Sequence, residues 1–172
     1  MYGMHEMFPK NEININLEMW RTHMEDWVIE MVGGGHIVDL GSLYDESGDG
    51  FYVPRYIIEG DSSRGIAPTA PDLSSVFDLK RYRQLFADPG DPNKGAWING
   101  IKHWGCWNIC RIKMSTYGLD DEYNCLTPTT ADEFNDLILS NFAAGKPFVT
   151  YYWYPSPMMG LVDLVKLVEP KF

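Results

Sequence analysis

The sequence predicts an α/β fold, because short strand patterns alternate along the 172 residues with helical patterns of roughly 10–15 residues. The helical segments repeat apolar residues on one face and end at glycine, whereas the segments between them are rich in β-branched and aromatic residues. A content of 45% hydrophobic and 14% aromatic residues is sufficient for a folded core. We find no internal repeat and no low-complexity segment in the sequence.

The first third of the chain combines several strand patterns with one strong helix pattern. The predicted elements are the end of a helix over 1–10, a strand over 13–17, a helix over 22–31, and strands over 36–40 and 50–59. Thr22 and Glu25 form a capping box, and three glycines follow the helix, so both of its ends are marked. The core-facing stripe of this helix includes Trp27. Pro54 places the last strand at an edge or at a crossing between two lobes.

The remainder of the chain continues the alternation. The predicted elements are a loop over 60–72, helices over 76–86, 105–117 and 130–145, and strands over 96–101, 123–126, 148–153 and 164–168. Thr130 and Glu133 form a second capping box, and Gly118 and Gly145 end the last two helices. The segment Asp88–Pro92 breaks the first helix of this set.

Charge and cysteine content exclude several classes of function. The formal charge of -10 and the thin distribution of 14 basic residues argue against nucleic-acid binding. No apolar run approaches the roughly 18 residues of a membrane span, so no membrane insertion is expected. Cys106, Cys110 and Cys125 cannot all pair internally, which argues against a disulfide framework. The spacing of Cys106 and Cys110 is poor for a metal site, and we expect neither a metal nor a cofactor.

Three tryptophans stand where predicted strands or turns end. Trp20 follows the first strand pattern, Trp104 follows the strand over 96–101, and Trp153 lies at the end of the strand over 148–153. Side chains at the carboxyl ends of strands converge on a crevice, where ligands of α/β proteins bind. Indole is the best side-chain partner for a cation, and a quaternary ammonium has no N–H to donate. The sequence therefore predicts an aromatic cage for such a cation.

A carboxylate on the same ligand would need hydrogen-bond donors opposite the cage. Gly105 and Cys106 begin a predicted helix, whose first backbone N–H groups have no partner within the helix and favour an anion. His23 follows Trp20 by three residues and would add a side-chain donor, and Arg21 is a further candidate. Together these groups predict a clamp for a small zwitterion.

The same residues occur in an ordered set of motifs. In chain order, these are Trp20, Gly50-Phe51-Tyr52-Val53-Pro54, Trp104-Gly105-Cys106, and Tyr151-Tyr152-Trp153-x-Pro155. This set resembles the glycine betaine/proline betaine substrate-binding proteins of ABC transporters, and the resemblance spans nearly the whole chain. It implies a periplasmic-binding-protein-like α/β fold with one intact lobe and an incomplete second one. The expected division places 56–155 in the intact lobe, and 1–55 with 156–172 in the incomplete lobe and crossover strands.

The resemblance also implies a function and a set of partners. Trp20, Trp104 and Trp153 fall on the family's cation cage, while His23, Gly105 and Cys106 fall on its carboxylate-binding positions. The implied ligand is glycine betaine, proline betaine, carnitine or choline, bound without catalysis for osmoprotectant uptake. The implied partner is the permease of an ABC transporter, and the implied location is extracytoplasmic or periplasmic. The first residues lack a basic start followed by an apolar stretch, which leaves a cytoplasmic location open.

Two other functions are consistent with parts of the pattern. The family's members are longer at both ends, so the chain could instead be a shortened relative that acts as an oligomerising or interaction module, for example a homodimer. A thiol at a helix start has a depressed pKa, and Cys106 with His103 or His23 as base would be a cysteine nucleophile. The absence of a recognisable acidic partner for the histidine favours binding over catalysis.

Overall fold

The structure is a computed structural model that describes residues 6–21 and 24–171. Its strands are β1 (Gly48–Pro54), β2 (Ala87–Asp88), β3 (Asp91–Ile98), β4 (Tyr123–Leu126), β5 (Val149–Tyr154) and β6 (Leu164–Lys166). Its α-helices are α1 (Glu25–Gly33), α2 (Arg55–Glu59), α3 (Gly105–Thr116) and α4 (Ala131–Ala143). Two 3₁₀ helices cover Val76–Phe86 and Pro157–Gly160. Strands and helices alternate as the sequence predicts, which confirms the α/β class.

All six strands belong to one mixed sheet in the order β2-β3-β5-β1-β6, with β4 on the other side of β3. β3 runs parallel to both β4 and β5, and α3 and α4 make the connections from β3 to β4 and from β4 to β5. β1 is antiparallel to β5 and to β6. Parallel neighbours need such helical crossovers, so the helix pattern between these strands follows from the topology.

The core lies between this sheet and the helices that cover it. Phe51 of β1 and Trp97 of β3 are buried, and their ring centroids lie 5.4 Å apart. Phe134 and Ile138, one turn apart on α4, are fully buried, as their helical spacing predicts. The Nζ of Lys113 on α3 lies 2.9 Å from Oε2 of Glu169, which ties the helix to the C-terminal segment.

Local signals at the helix ends agree with the structure in the second half of the chain. The Thr130 hydroxyl accepts a hydrogen bond of 3.1 Å from the Glu133 N–H and caps α4. Gly118 and Gly145 adopt positive φ angles of 69° and 67°, which glycine tolerates best, and each lies one residue beyond the C-cap of α3 or α4. The predicted capping role of Thr22 lies outside the described residues.

Two predicted strands in the first third of the chain are wrong. Residues 13–17 and 36–40 form no strand, and within the described parts of 6–47 α1 is the one α-helix. Ile15 and Leu17 are 60% and 62% exposed, and Val38 and Leu40 are 80% and 83% exposed. A strand needs a neighbour for its backbone groups, and the described residues supply none for these two segments.

Several element boundaries and types also differ from the prediction. The strand predicted over 50–59 ends at Pro54, where α2 begins. The helix predicted over 76–86 is a 3₁₀ helix, the strand predicted over 96–101 covers 91–98, and the described part of 1–10 contains turns but no helix. β2 was not predicted.

The role predicted for Trp27 is also wrong in part. Its side chain is half-buried at the edge of the fold and contacts Phe8, with ring centroids 6.3 Å apart, instead of entering the central core. Among the described residues, no helix has the length and apolar content needed to cross a membrane.

Candidate functional site

The three predicted tryptophans lie together at one end of the sheet. The ring centroid of Trp153 lies 6.3 Å from that of Trp20, and their planes make an angle of 84°. The centroid of Trp104 lies 5.4 Å from that of Trp153, at an angle of 89°. Trp153 therefore contacts both other indoles, each nearly perpendicular to it. We call these three residues the tryptophan cluster.

Trp104 is held in place by the turn between β3 and α3. Its backbone N–H donates a hydrogen bond of 2.9 Å to the Ile101 carbonyl, and the residue is the N-cap of α3. A Cβ added at Gly100 would lie 2.8 Å from Cε3 of Trp104, so this turn passes directly against the indole. The glycine is needed here because the ring occupies the space of a side chain.

A layer of two further aromatic rings supports the cluster, and the sequence did not assign it this role. The Tyr152 ring stacks on Trp153 with centroids 4.5 Å apart, and the buried Phe134 ring stacks on Tyr152 at 5.5 Å. Phe134 also meets Trp104 edge-on at 5.4 Å. The sequence identified Phe134 only as an inward residue of its helix. The run of aromatic residues before Trp153 was the signal for Tyr152.

Trp20 reaches the cluster from the irregular N-terminal segment, where it is half-buried. Nη1 of the next residue, Arg21, lies 2.9 Å from Oδ2 of Asp39 in an ion pair on the surface. This pair joins the segment that carries Trp20 to the segment after α1. His23, predicted to bind a carboxylate, lies outside the described residues.

The start of α3 lies next to the cluster, with Gly105 half-buried and Cys106 only 3% exposed. Burial raises the pKa of the Cys106 thiol to about 11, although a hydrogen bond with the Tyr151 side chain acts in the opposite direction. The Tyr151 hydroxyl also lies 3.4 Å from Oδ2 of Asp49, the residue that pairs with Trp153 across β1 and β5. A raised pKa is the opposite of what a thiolate nucleophile requires.

The cluster presents aromatic rings beside a helix start. A cation within about 6 Å of a ring centroid is attracted by the ring face, and the centroids of Trp104 and Trp20 lie 5.4 and 6.3 Å from that of Trp153. The first amides of α3 lie beside it as anion donors. No group of three His, Cys, Asp or Glu side chains within the described ranges is placed to hold a metal ion.

Two surface depressions lie elsewhere on the molecule. One, of about 370 Å³, is lined by residues of β6 and by Tyr52, Arg55 and Tyr154. The other, of about 410 Å³, lies between α3 and β4. Neither is lined by Trp20, Trp104 or Trp153.

A known family matches almost the whole chain. The family described as the substrate binding domain of ABC-type glycine betaine transport system, OpuAC, matches residues 3–172. The chain belongs to this family. Its members are substrate-binding domains, and the tryptophans, the turn at Gly100 and the start of α3 all lie within the matched range.

The chain is similar in fold to several solved structures of substrate-binding proteins. The glycine betaine/L-proline-binding protein ProX from Borrelia burgdorferi superimposes with a TM-score of 0.69 at 20% identity, over 99% of this chain and 56% of its own. Lactococcal OpuAC, in a closed conformation with glycine betaine, superimposes with a TM-score of 0.64 at 18% identity, over 96% of this chain and 55% of its own. An ABC-transporter choline-binding protein in complex with choline superimposes with a TM-score of 0.61 at 13% identity, over 94% of this chain and 50% of its own.

These structural similarities show that the fold is periplasmic-binding-protein-like. The chain spans about half the length of the similar structures, as expected for one lobe with part of a second. No curated protein sequence matches the chain.

Proposed function

We propose that the chain binds a small quaternary-ammonium compound, namely glycine betaine, proline betaine, carnitine or choline, and does so without catalysis. The observation that carries the proposal is the tryptophan cluster, with two indoles nearly perpendicular to a third at centroid distances of 5.4 and 6.3 Å. Membership of the substrate-binding family and similarity to proteins bound to glycine betaine and choline support it.

The two charged groups of the ligand bind to different halves of the site. The rings of Trp20, Trp104 and Trp153 hold the cation, because their faces attract positive charge and exclude water from it. The backbone N–H groups of Gly105 and Cys106, with His23, bind the carboxylate of a betaine. Choline has no carboxylate and would use only the first half. Comparing the two ligands therefore tests each half separately.

The division into lobes remains part of the proposal. Residues 56–155 form the complete lobe, and 1–55 with 156–172 contribute the incomplete lobe and the crossover strands. Trp20 would then come from one lobe, and Trp104 and Trp153 from the other, so that closure assembles the cage. In this proposal the chain acts outside the cytoplasm and delivers its ligand to the permease of an ABC transporter.

Calorimetric titration with glycine betaine and choline tests the proposal. We expect both ligands to release or absorb heat with a saturable isotherm, and Trp104→Ala or Trp153→Ala to cost about 1–2 kcal/mol of binding, roughly a 5–30-fold loss of affinity. Tyr154→Ala is the matched control, because Tyr154 is next to Trp153 in the strand but 50% exposed, and its ring is not among those that pack on the cluster in the described part of the chain. Absence of heat at millimolar ligand, or equal losses in control and cluster variants, would refute the cage.

A second candidate function is self-association, and one observation favours it. Large apolar side chains of the N-terminal part are exposed, including Ile15 and Leu17 before α1, and Val38, Leu40 and Leu43 after it. An apolar surface of this kind is suited to a partner chain. Size-exclusion chromatography with light scattering separates the candidates: a stable dimer that binds neither ligand favours self-association, and a monomer that binds betaine rejects it.

A further inference from the structure

The segment from residue 92 to 119 differs in charge from the rest of the chain. It contains no Asp or Glu and four basic residues, so its formal charge is +4, whereas the remaining residues carry -14. α3 occupies the second half of this segment. A local positive region on a strongly acidic protein is an electrostatic feature that general acidity for solubility does not explain.

Two of these four cations are free to meet a partner. Lys113 is paired with Glu169, and Nζ of Lys94 lies 3.5 Å from the Asp120 carbonyl. Lys102 and Arg111 are exposed, and neither forms an ion pair with any carboxylate in the described part of the chain.

Both free cations lie on one tryptophan outside the proposed ligand cage. The guanidinium carbon of Arg111 lies 4.8 Å from the ring centroid of Trp107, and Nζ of Lys102 lies 6.0 Å from it. The Trp107 indole N–H donates a hydrogen bond of 3.0 Å to Oγ1 of Thr127, which fixes the ring. Contact with the ring limits the movement of the two cations, which lowers the entropic cost of binding an anion.

Apolar side chains and a groove adjoin these cations. Ile112 is 59% exposed and Ile109 is 37% exposed on the same helix. The depression of about 410 Å³ runs between α3 and β4, with Arg111 and Ile112 on the helix side and Asn124 and Cys125 on the strand side. Asp120 also lines it, and its Oδ2 accepts a hydrogen bond of 2.9 Å from the Ser115 hydroxyl. We call it the α3–β4 groove.

β4 offers a free edge along this groove. It pairs with β3 on one side, and no strand within 6–21 or 24–171 pairs with its other side. An extended peptide can add to such an edge through backbone hydrogen bonds, and alternate side chains of the peptide then face the same way. Acidic side chains at alternate positions would face Arg111, which lines the groove, and Lys102, which lies beside it on the Trp107 ring.

We propose that the α3–β4 groove, with Lys102 and Arg111 held on Trp107, is a docking surface for an extended acidic segment of a partner protein. Charge complementarity and the free strand edge both favour this occupant. An anionic membrane surface fits less well, because such surfaces attract clusters of about 4–8 basic residues, whereas here the free cations are Arg111 in the groove and Lys102 beside it. Nucleic acid is disfavoured on the same ground.

Nuclear magnetic resonance on the ¹⁵N-labelled protein tests the proposal. The probe is a blocked octapeptide of alternating glutamate and valine, and its charge-reversed counterpart alternates lysine and valine. The reporter is the indole N–H resonance of Trp107, assigned by its loss in Trp107→Phe. We expect the glutamate peptide to shift this resonance and the amides of β4 saturably at low salt, and the lysine peptide to leave them in place.

Two matched variants separate the groove from overall charge. Lys102→Gln with Arg111→Gln is expected to weaken peptide binding at least about fivefold. Lys10→Gln with Lys171→Gln removes the same charge from exposed positions outside α3 and β4 and should leave binding unchanged. Equal weakening in both pairs would overturn the proposal.

Three further results would overturn it. These are no shift at millimolar glutamate peptide, equal shifts with the lysine peptide, and binding to phosphatidylglycerol vesicles without binding to the peptide. None of these readouts uses a quaternary-ammonium ligand, so the proposal can fail or stand independently of the function proposed above.

Discussion

Gly100→Ala tests how closely the turn before α3 fits the tryptophan cluster. The added methyl group would lie 2.8 Å from Cε3 of Trp104 and 2.9 Å from Sγ of Cys106. Ordinary carbon contacts are about 3.5–4.0 Å, so each of these is short by about 0.6 Å or more. The backbone is poorly placed to relieve this, because the Gly100 N–H donates a 2.8 Å hydrogen bond to the side chain of the buried Asn99.

The overlap therefore moves the Trp104 indole. Overpacking of this kind costs about 1–3 kcal/mol, which corresponds to a fall in Tm of about 2–12 °C for a chain of this size. We also expect choline and glycine betaine to bind at least about fivefold more weakly, because the displaced indole loses part of its contact with the cation. Thermal unfolding and calorimetric titration measure the two effects.

Two further variants control this prediction. Gly160→Ala adds the same methyl group where no atom lies within 4 Å, and it should change neither Tm nor affinity. Adding Cys106→Ala to Gly100→Ala removes the sulfur and should recover part of both losses. A Gly100→Ala protein with wild-type stability and affinity would refute the packing described for this turn.

Three other predictions concern stability. Burial raises the pKa of the Cys106 thiol from 9.0 to about 11, so the folded state holds this proton more tightly than the unfolded state. The free energy of unfolding should therefore fall as the pH rises from 9.0 through about 11. In urea titrations at several pH values, Cys106→Ala should reduce this dependence on pH. Thr130→Ala removes the cap that accepts from the Glu133 N–H and should cost about 1 kcal/mol in urea unfolding; no change would argue against the cap. Lys113→Met leaves Glu169, whose side chain is 11% exposed, without its ammonium partner and should lower the free energy of unfolding by about 3–5 kcal/mol. Adding Glu169→Leu should restore part of this free energy. Equal losses of stability in the single and double variants would contradict the prediction.

The second half of the fold could be predicted from the sequence because its signals are local. The Thr130 hydroxyl and the glycines after α3 and α4 fix helix ends through contacts within a few residues. The predicted capping box is only half formed, because the Glu133 carboxylate accepts hydrogen bonds from Thr129. The predicted strand over 123–126 coincides with β4, and that over 148–153 differs from β5 by one residue. Each of these strands is paired within the described sheet.

The first third could not be predicted in the same way. The alternation over 13–17 and the apolar run over 36–40 are genuine strand patterns, but a strand also depends on a neighbour. The similar structures are nearly twice as long as this chain. Outside the first third, the 3₁₀ form of 76–86 could not be predicted either, because apolar spacing alone does not distinguish a 3₁₀ helix from an α-helix.

The candidate site was predictable in its residue types and only partly in its geometry. Trp104 and Trp153 could be placed from a helix start and a strand end, because each signal is local. The contact of Trp20 with Trp153 joins segments more than a hundred residues apart, and it was proposed from residue type and family resemblance. The support from Phe134 was missed, because a buried aromatic on a helix stripe has the same pattern whether it packs on the core or on a site.

The central claim is that the tryptophan cluster holds a ligand by its positive charge. The most direct test compares choline with 3,3-dimethylbutan-1-ol, which has the same shape but a carbon in place of the ammonium nitrogen. One to two cation–π contacts of about 1 kcal/mol each predict that choline binds about 5–30-fold more tightly in calorimetric titration. Equal affinity of the charged and neutral compounds would contradict the account.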